Sequence, residues 1–436
     1  MNDKINVRSM AISSVDLISN REAFSSNIIK EKSKQISDSK DESLYRELVY
    51  GTTENLIYID YMLKKLSKIP LKKLERQVLN ALRLGLYELV FLRIENYATV
   101  NEYVKIIKCQ KGIKAGNFVN AILRNAIRRL EEITSITVKN PIDYLSIKYS
   151  FNTELVKYLI DEYGRDKAEE IMDSLCQKPS LSIRVNTTKT SKDELKNLLL
   201  EKGMRTTDSQ LANDSLIVEK PYRITDLDEF KEGFFTIQDQ ASIKVAEILN
   251  PEEGGEILDL CAAPGSKSSH LSQLTNDKSL VIANDISSNK LPKIKENFTR
   301  LGFKNYEITN FDASKRVDEF VRKFDYILVD APCSGLGVIR RKPEIKLFRT
   351  MDEIKELAKI QEKILEQSLL YLKNGGKLVY STCTIGKLEN STIVDSLLSK
   401  DDSLSLLETE GEKYYEILPN IQDSDGFFIA KLSKDW

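Results

Sequence analysis

From Gln238 onward the chain alternates strand-like and helix-like segments, and this alternation constrains the fold more than any other feature of the 436 residues. GEILDL leads into a loop and a helix, and SLVIAND into a helix running to Gly302. NYEITNFD and FDYILVDAP follow, then a long helix expected from Asp352 to Leu372 before GGKLVYSTC. Strands joined through helices lie parallel, because a tight turn cannot reach a parallel neighbour. Residues 236–436 are therefore expected to form a doubly wound, Rossmann-like α/β domain. Such sheets bind ligands outside the carboxyl ends of their strands, so the residues that end each strand are the ones to read for chemistry.

Ahead of this pattern, apolar residues from Ser43 to about Glu132 recur at helical spacing, as Val78, Leu79, Leu82, Leu86, Leu89 and Val90 do in QVLNALRLGLYELVFL. This predicts an all-α bundle over residues 1–140, with two helices between Ala98 and Arg129 around a break from Gly112 to Gly116. Asn140-Pro141 punctuates the pattern. Residues 141–235, with strand-like LSIRVN and GFFTIQD around the amphipathic KDELKNLLLEKG, read as a small α+β connector of RRM-like kind.

Composition and charge narrow the function. With 41% apolar and 30% charged residues the chain can fill more than one core. It has no apolar run near the roughly 18 residues of a membrane span, and its Met1-Asn-Asp-Lys start lacks a secretory segment. A cytoplasmic protein without membrane contact is expected, as a monomer. The overall charge of -1 hides an asymmetry, since residues 1–140 carry 24 Lys and Arg against 16 Asp and Glu. Residues 61–130 carry 15 against 4, which suits a polyanionic partner as well as it suits solvated helix faces. Five cysteines without a CxxC pair argue against a disulfide framework or a zinc cluster, and a single histidine, His270, against a histidine triad; no metal is expected. His270 reads as a packing or capping residue.

The first strand of the α/β domain runs into the turn Cys261-Ala262-Ala263-Pro264-Gly265-Ser266-Lys267. Neither GxGxxG nor GxxxxGK[ST] is present, so the common dinucleotide and P-loop readings fall away and S-adenosylmethionine becomes the natural occupant. Asp285, after the second strand, is placed to accept from a ribose diol, and Asp312, after the third, from an adenine amino group. Asp330 ends the fourth. An Asp at a strand end is often only a helix cap, but three at successive strand ends converge on one crevice.

Two thiols reach the same edge, Cys333 in Asp330-Ala-Pro-Cys and Cys383 in Ser381-Thr-Cys. Methylating carbon 5 of a pyrimidine needs a thiolate to add to carbon 6 first, after which a base removes the carbon-5 hydrogen and the thiol leaves. Cys109, Cys176 and Cys261 read as small buried hydrophobes. Lys267 and Arg340-Arg341-Lys342 are candidates to stabilise a thiolate or to meet RNA phosphates.

LDLCAAPGSKSSHL, FDYILVDAPCSGLGVIRRKPEIK, LVYSTCTIGKLEN and DGFFIAKL resemble the motifs of ribosomal RNA (cytosine-C5) methyltransferases of the Sun/Fmu type, in the NOL1/NOP2/Sun superfamily. LRLGLYELVFL, TVNEYVKIIK and AGNFVNAILRNAIRR resemble the NusB-like RNA-binding domain of that subgroup. The resemblance implies that Cys261 to Lys267, Asp285, Asp312 and Asp330 bind the cofactor. It further implies that Cys383 is the nucleophile and that Cys333 assists product release; in DNA cytosine methyltransferases the Pro-Cys thiol attacks instead. The implied substrate is 16S ribosomal RNA, naked or in an early assembly intermediate, at cytosine 967. Transfer RNA methylation and a non-enzymatic assembly factor are the competing readings. Two departures from the family pattern are Ser266, where a second glycine is usual, and Gly386-Lys-Leu before Glu389-Asn390, where further acidic residues are common.

Overall fold

Short polar side chains start several of the helices. Asn6, Asp38, Asn140 and Asn152 each accept a backbone N–H from the first turn that follows, satisfying donors that have no partner within the helix. The computed structural model describes residues 6–21, 24–92 and 94–435, so the Met1–Lys4 start lies outside the described residues.

Contacts divide the chain into two units. The helical unit comprises residues 1–176 and 339–350. Its core is built around the helix Arg76–Phe91, which buries Val78, Ala81, Leu82, Leu86 and Leu89. Two helices precede the segment in which the apolar pattern is legible, Val7–Ser19 and Ser25–Ser33; Ala11 and Ser14 lie on the buried face of the first, and such small and polar residues blur its hydrophobic stripe. The expected break between Ala98 and Arg129 is narrower than Gly112 to Gly116. Gly112, at φ +86°, separates helices Asn96–Lys111 and Ile113–Arg128, while Gly116 is buried within the second. At Asn140 the helical unit continues, through Pro141–Tyr149, Thr153–Tyr163 and Arg165–Leu175.

Residues 339–350 return to this unit from late in the sequence. Glu344 accepts from the Ser25 hydroxyl at 2.7 Å, Arg340 donates to the Ser174 carbonyl at 3.0 Å, and buried Lys346 donates to the Tyr149 carbonyl at 2.8 Å.

The second unit holds residues 177–338 and 351–436. Four strands, β1 (Leu181–Val185), β2 (Thr206–Asp208), β3 (Ser215–Val218) and β4 (Phe235–Ile237), form an antiparallel sheet in the order β2-β3-β1-β4. The larger sheet contains β5 (Glu256–Asp259), β6 (Leu280–Asn284), β7 (Tyr306–Thr309), β8 (Phe324–Asp330), β9 (Leu372–Thr382), β10 (Leu404–Leu407), β11 (Tyr415–Ile417) and β12 (Phe427–Lys434). Its order is β10-β12-β9-β8-β5-β6-β7, with β11 paired to β12. β5 to β9 are mutually parallel and β10 to β12 antiparallel, so the expected doubly wound sheet is present with an antiparallel edge. The strand order reverses at β5, beside β8, and the turn after β5 emerges there.

Candidate active site

The turn after β5 is fixed by its own backbone. The Leu260 N–H donates to the Leu328 carbonyl at 3.0 Å and the Ala262 N–H to the Asn284 carbonyl at 2.7 Å. Gly265 sits at φ +96°, where a Cβ would approach the Ile294 Cα to 3.1 Å, so both conformation and space require glycine. Ser266 is already the first residue of the helix Ser266–Leu274 and is not among the positive-φ residues. The strain that a serine would carry in place of a second glycine does not arise.

A cavity of about 100 Å³ lies against this turn, lined by Cys261, Ala262, Ala263, Pro264, Ser266, Lys267 and Asp330 together with Ser242 and Asp259. The last two were missed by sequence reasoning, although Asp259, the final residue of β5, stands at a strand end as Asp330 does. It is buried, accepts from the Ser268 hydroxyl at 2.6 Å, and burial pushes its carboxyl up to about 7. Lys267 forms an ion pair with Asp330 at 2.7 Å, and Asp330 also accepts from Ser381 at 3.0 Å.

Asp285 and Asp312 are not in the wall of that cavity. Asp285 follows β6 and is nearly buried, with one oxygen accepting from the Ala263 N–H at 3.2 Å and the other from the Ser287 N–H at 2.9 Å. It therefore ties the turn to the neighbouring strand. Asp312 accepts from the hydroxyl and the N–H of Ser314, and these bonds lower its carboxyl below the usual range. The donor set fits S-adenosylmethionine chemically. Carboxylates of Asp259, Asp285 and Asp330 suit a ligand that carries a sulfonium, an ammonium and a ribose diol, and each oxygen of Asp285 keeps a lone pair for a hydroxyl.

The two thiols meet. Asp330 of β8 is in register with Ser381 of β9, and the loops beyond these strands bring the Cys333 and Cys383 sulfurs to 3.2 Å. The hydrogen bond with Cys383, followed by burial, raises the Cys333 thiol well above its ordinary value. Both loops are held by a side chain to which the sequence reading gave no role. Buried Glu389 accepts from the N–H of Ser334 at 2.8 Å, from the Ser334 hydroxyl, and from Gln361 at 2.9 Å. Gly426 of the terminal DGFFIAKL motif donates its N–H to the Gly337 carbonyl at 2.9 Å, an approach that a Cβ on Gly337 would block.

The other candidate residues have different places. Cys176 is largely buried, whereas Cys109 is exposed, against the expectation of a buried hydrophobe. Cys261 is burial-shielded, its thiol raised well above its ordinary value. His270 is fully buried, with Nε2 3.7 Å from Asp214 Oδ2, and burial lowers its imidazole to about 4, in agreement with a packing role. Among the described residues no His, Cys, Asp and Glu cluster could hold a metal ion, and no helix is long and apolar enough to cross a membrane.

Comparison with known proteins places these observations. Residues 246–433 match the family model "16S rRNA methyltransferase RsmB/F", residues 5–128 the NusB family, and residues 153–225 the ferredoxin-like domain of RsmF/B-like methyltransferases. The chain is 36% identical over 448 residues to the "Probable ribosomal RNA small subunit methyltransferase B" of Bacillus subtilis, covering 99% of each. It is 33% identical to the ribosomal RNA small subunit methyltransferase B of Serratia proteamaculans, covering 100% of each. Among solved structures it resembles "Crystal Structure of PH0851" in fold, with TM-score 0.84 over 99% of both chains at 24% identity. It also resembles NSun6 from Pyrococcus horikoshii with SFG, with TM-score 0.60 over 64% of this chain and 97% of that one at 27% identity.

Proposed function

Because the chain belongs to the ribosomal RNA small subunit methyltransferase B family, we propose that it methylates carbon 5 of a cytosine in 16S ribosomal RNA, cytosine 967 by the family resemblance. S-adenosylmethionine, when bound, supplies an electrophilic methyl group. Residues Cys261 to Lys267 and the carboxylates of Asp259, Asp285, Asp312 and Asp330 would hold it.

The observation that carries the reading is the thiol pair. In it, Cys383 is the nucleophile that adds to carbon 6 and makes carbon 5 enamine-like. Cys383 is among the groups that stabilise the Lys267 ammonium, which is the cation this reading assigns to the site. Cys333, held as a neutral thiol 3.2 Å away, is suited to proton handling when the product leaves and poorly suited to attack. The target base must be unstacked to present both ring faces, which favours loop RNA, naked or in an early assembly intermediate. The excess of basic residues over positions 61–130 suits the phosphate backbone of that RNA, with an affinity that falls steeply with salt.

The test is adduct trapping with labelled 16S RNA and cofactor, read on denaturing gels. Cys383→Ala is expected to bind RNA without methylation or adduct. Cys333→Ala is expected to complete attack and methyl transfer and to stall as a protein–RNA band sensitive to nuclease and protease. Adduct in Cys383→Ala and none in Cys333→Ala would transfer the nucleophile's role to Cys333. Methylation of transfer RNA in preference to 16S RNA would overturn the substrate.

A further inference from the structure

Beneath the turn that follows β5 lies a buried cation for which the proposed chemistry has no role. Arg184, on β1 of the smaller sheet, is 1% exposed. Its Nη1 donates to the Ser266 carbonyl at 2.5 Å and to Gln238 Oε1 at 2.6 Å, and its Nη2 donates to Ser269 Oγ at 3.0 Å. Nε has no hydrogen-bond partner, and the opposing charge that favours the guanidinium, Asp214, acts on it through space without a hydrogen bond. Burying a charge whose counter-charge makes no direct pair with it is expensive, and a packed apolar side chain there is the more stable alternative unless the charge does something.

The surroundings show what it touches. Ser266, Ser269, His270 and Gln273 fall on one face of the helix Ser266–Leu274, and all but Ser266 are fully or almost fully buried. Gln273 donates to the Val185 carbonyl at 2.9 Å and to Asp214 at 2.8 Å, so the helix that opens from the turn is fastened along this polar face to β1 and to the residue just before β3. Ser266 also lines the cavity, and Gln238 donates to Ser242, another wall residue, at 3.2 Å. Arg184 is thus one hydrogen bond from one wall residue and two from another.

We propose that Arg184 is a positioning residue for S-adenosylmethionine, holding the first turn of the helix Ser266–Leu274 in its binding conformation and adding positive potential behind it. This rests on the cofactor reading of the Cys261–Lys267 turn. A planar fork satisfies three acceptors at fixed angles, which an ammonium on a flexible stem cannot do. The fallen guanidinium pKa, about 9, reflects burial and fits a charge retained near neutrality for use.

Calorimetric titration of the full chain with S-adenosylhomocysteine tests the proposal. Arg184→Lys is expected to weaken binding at least 10-fold and to raise the KM for S-adenosylmethionine with kcat nearly kept, while affinity for 16S RNA at matched salt and the far-ultraviolet circular dichroism stay unchanged. Ser269→Ala and Gln238→Ala, which keep the arginine and remove one acceptor each, are expected to weaken binding about 3-fold and decide the matter if Arg184→Lys does not fold. Wild-type affinity in a folded Arg184→Lys, or in both acceptor variants, overturns the proposal. Absence of binding by the wild-type chain would instead overturn the cofactor reading itself.

Discussion

Two buried polar clusters, one in each unit, are built on opposite rules. In the helical unit Glu88 is fully buried and saturated. It accepts from Arg8 Nε and Nη2 at 2.8 and 2.9 Å, from the Tyr103 hydroxyl at 2.6 Å and from Thr99 at 3.1 Å. In the second unit the cluster under the turn after β5 leaves Arg184 Nε without a partner and holds the His270 ring only by a loose 3.7 Å approach of Nε2 to Asp214. A saturated network rigidifies a core, whereas a cluster with donors to spare is retained at a cost in stability. The contrast separates polar burial that holds a fold from polar burial that, on the proposal above, serves a ligand.

The largest effect should come from breaking the saturated cluster. Glu88→Ala leaves the Arg8 guanidinium unpaired and should destabilise the helical unit by about 3–5 kcal/mol, read by urea unfolding. A loss below about 1 kcal/mol would erase the contrast.

Next in size is an opposed pair of titrations. Asp259 is lifted from 3.8 to about 7, so the folded state binds its proton more tightly and stability falls as pH rises through that window, by up to about 4 kcal/mol. His270 is depressed by burial from 6.5 to about 4, so the unfolded chain binds its proton first and stability falls as pH drops from 6.5 to 4, by up to about 3 kcal/mol. The two nearly cancel in the wild type. Asp259→Asn should reveal acid sensitivity and His270→Leu alkaline sensitivity, measured as unfolding free energy from pH 4 to 7. Parallel profiles for the two variants would show that these groups do not titrate as the burial implies.

Asp285→Ala should weaken S-adenosylmethionine affinity by roughly 1.5–3 kcal/mol, the worth of hydrogen bonds to a charged group. The variant also frees the Ala263 N–H, so the turn should loosen in hydrogen exchange. Wild-type affinity in a folded variant would remove Asp285 from the site. The smallest effect sharpens the comparison most. At pH 7.5 His270→Leu replaces a buried neutral ring, held only by the 3.7 Å approach of Nε2 to Asp214, with an apolar side chain and should change stability by less than about 1 kcal/mol, whereas a loss above about 2 kcal/mol would mean that the cluster is saturated after all.

The sequence was most legible where a side chain's position follows from strand order. Asp285, Asp330, Cys333 and Cys383 sit at strand ends because the alternation of elements puts them there. Arg184 could not be read that way, since its role depends on which helix the small sheet packs against, and LSIRVN is equally compatible with an ordinary buried strand. Asp259 was overlooked because LDL reads as apolar strand, although its carboxylate lines the cavity. The helices Val7–Ser19 and Ser25–Ser33 escaped because serines interrupt their apolar faces. Nor does any local signal announce that residues 339–350 belong to the helical unit, because Glu344 and Lys346 find partners more than 190 residues away in sequence.

That return of residues 339–350 sets an order of events during synthesis. Ribosomes deliver chains from the amino end, so the helices up to Leu175 leave the exit tunnel long before Glu344 exists to meet Ser25 or Lys346 to meet Tyr149. Between those moments the strands β1 to β8 are made. Until then the Ser25 hydroxyl and the Tyr149 carbonyl lack the partners they have in the folded chain, so closure of the helical unit cannot precede the synthesis of residues 339–350, which follow the loop carrying Cys333.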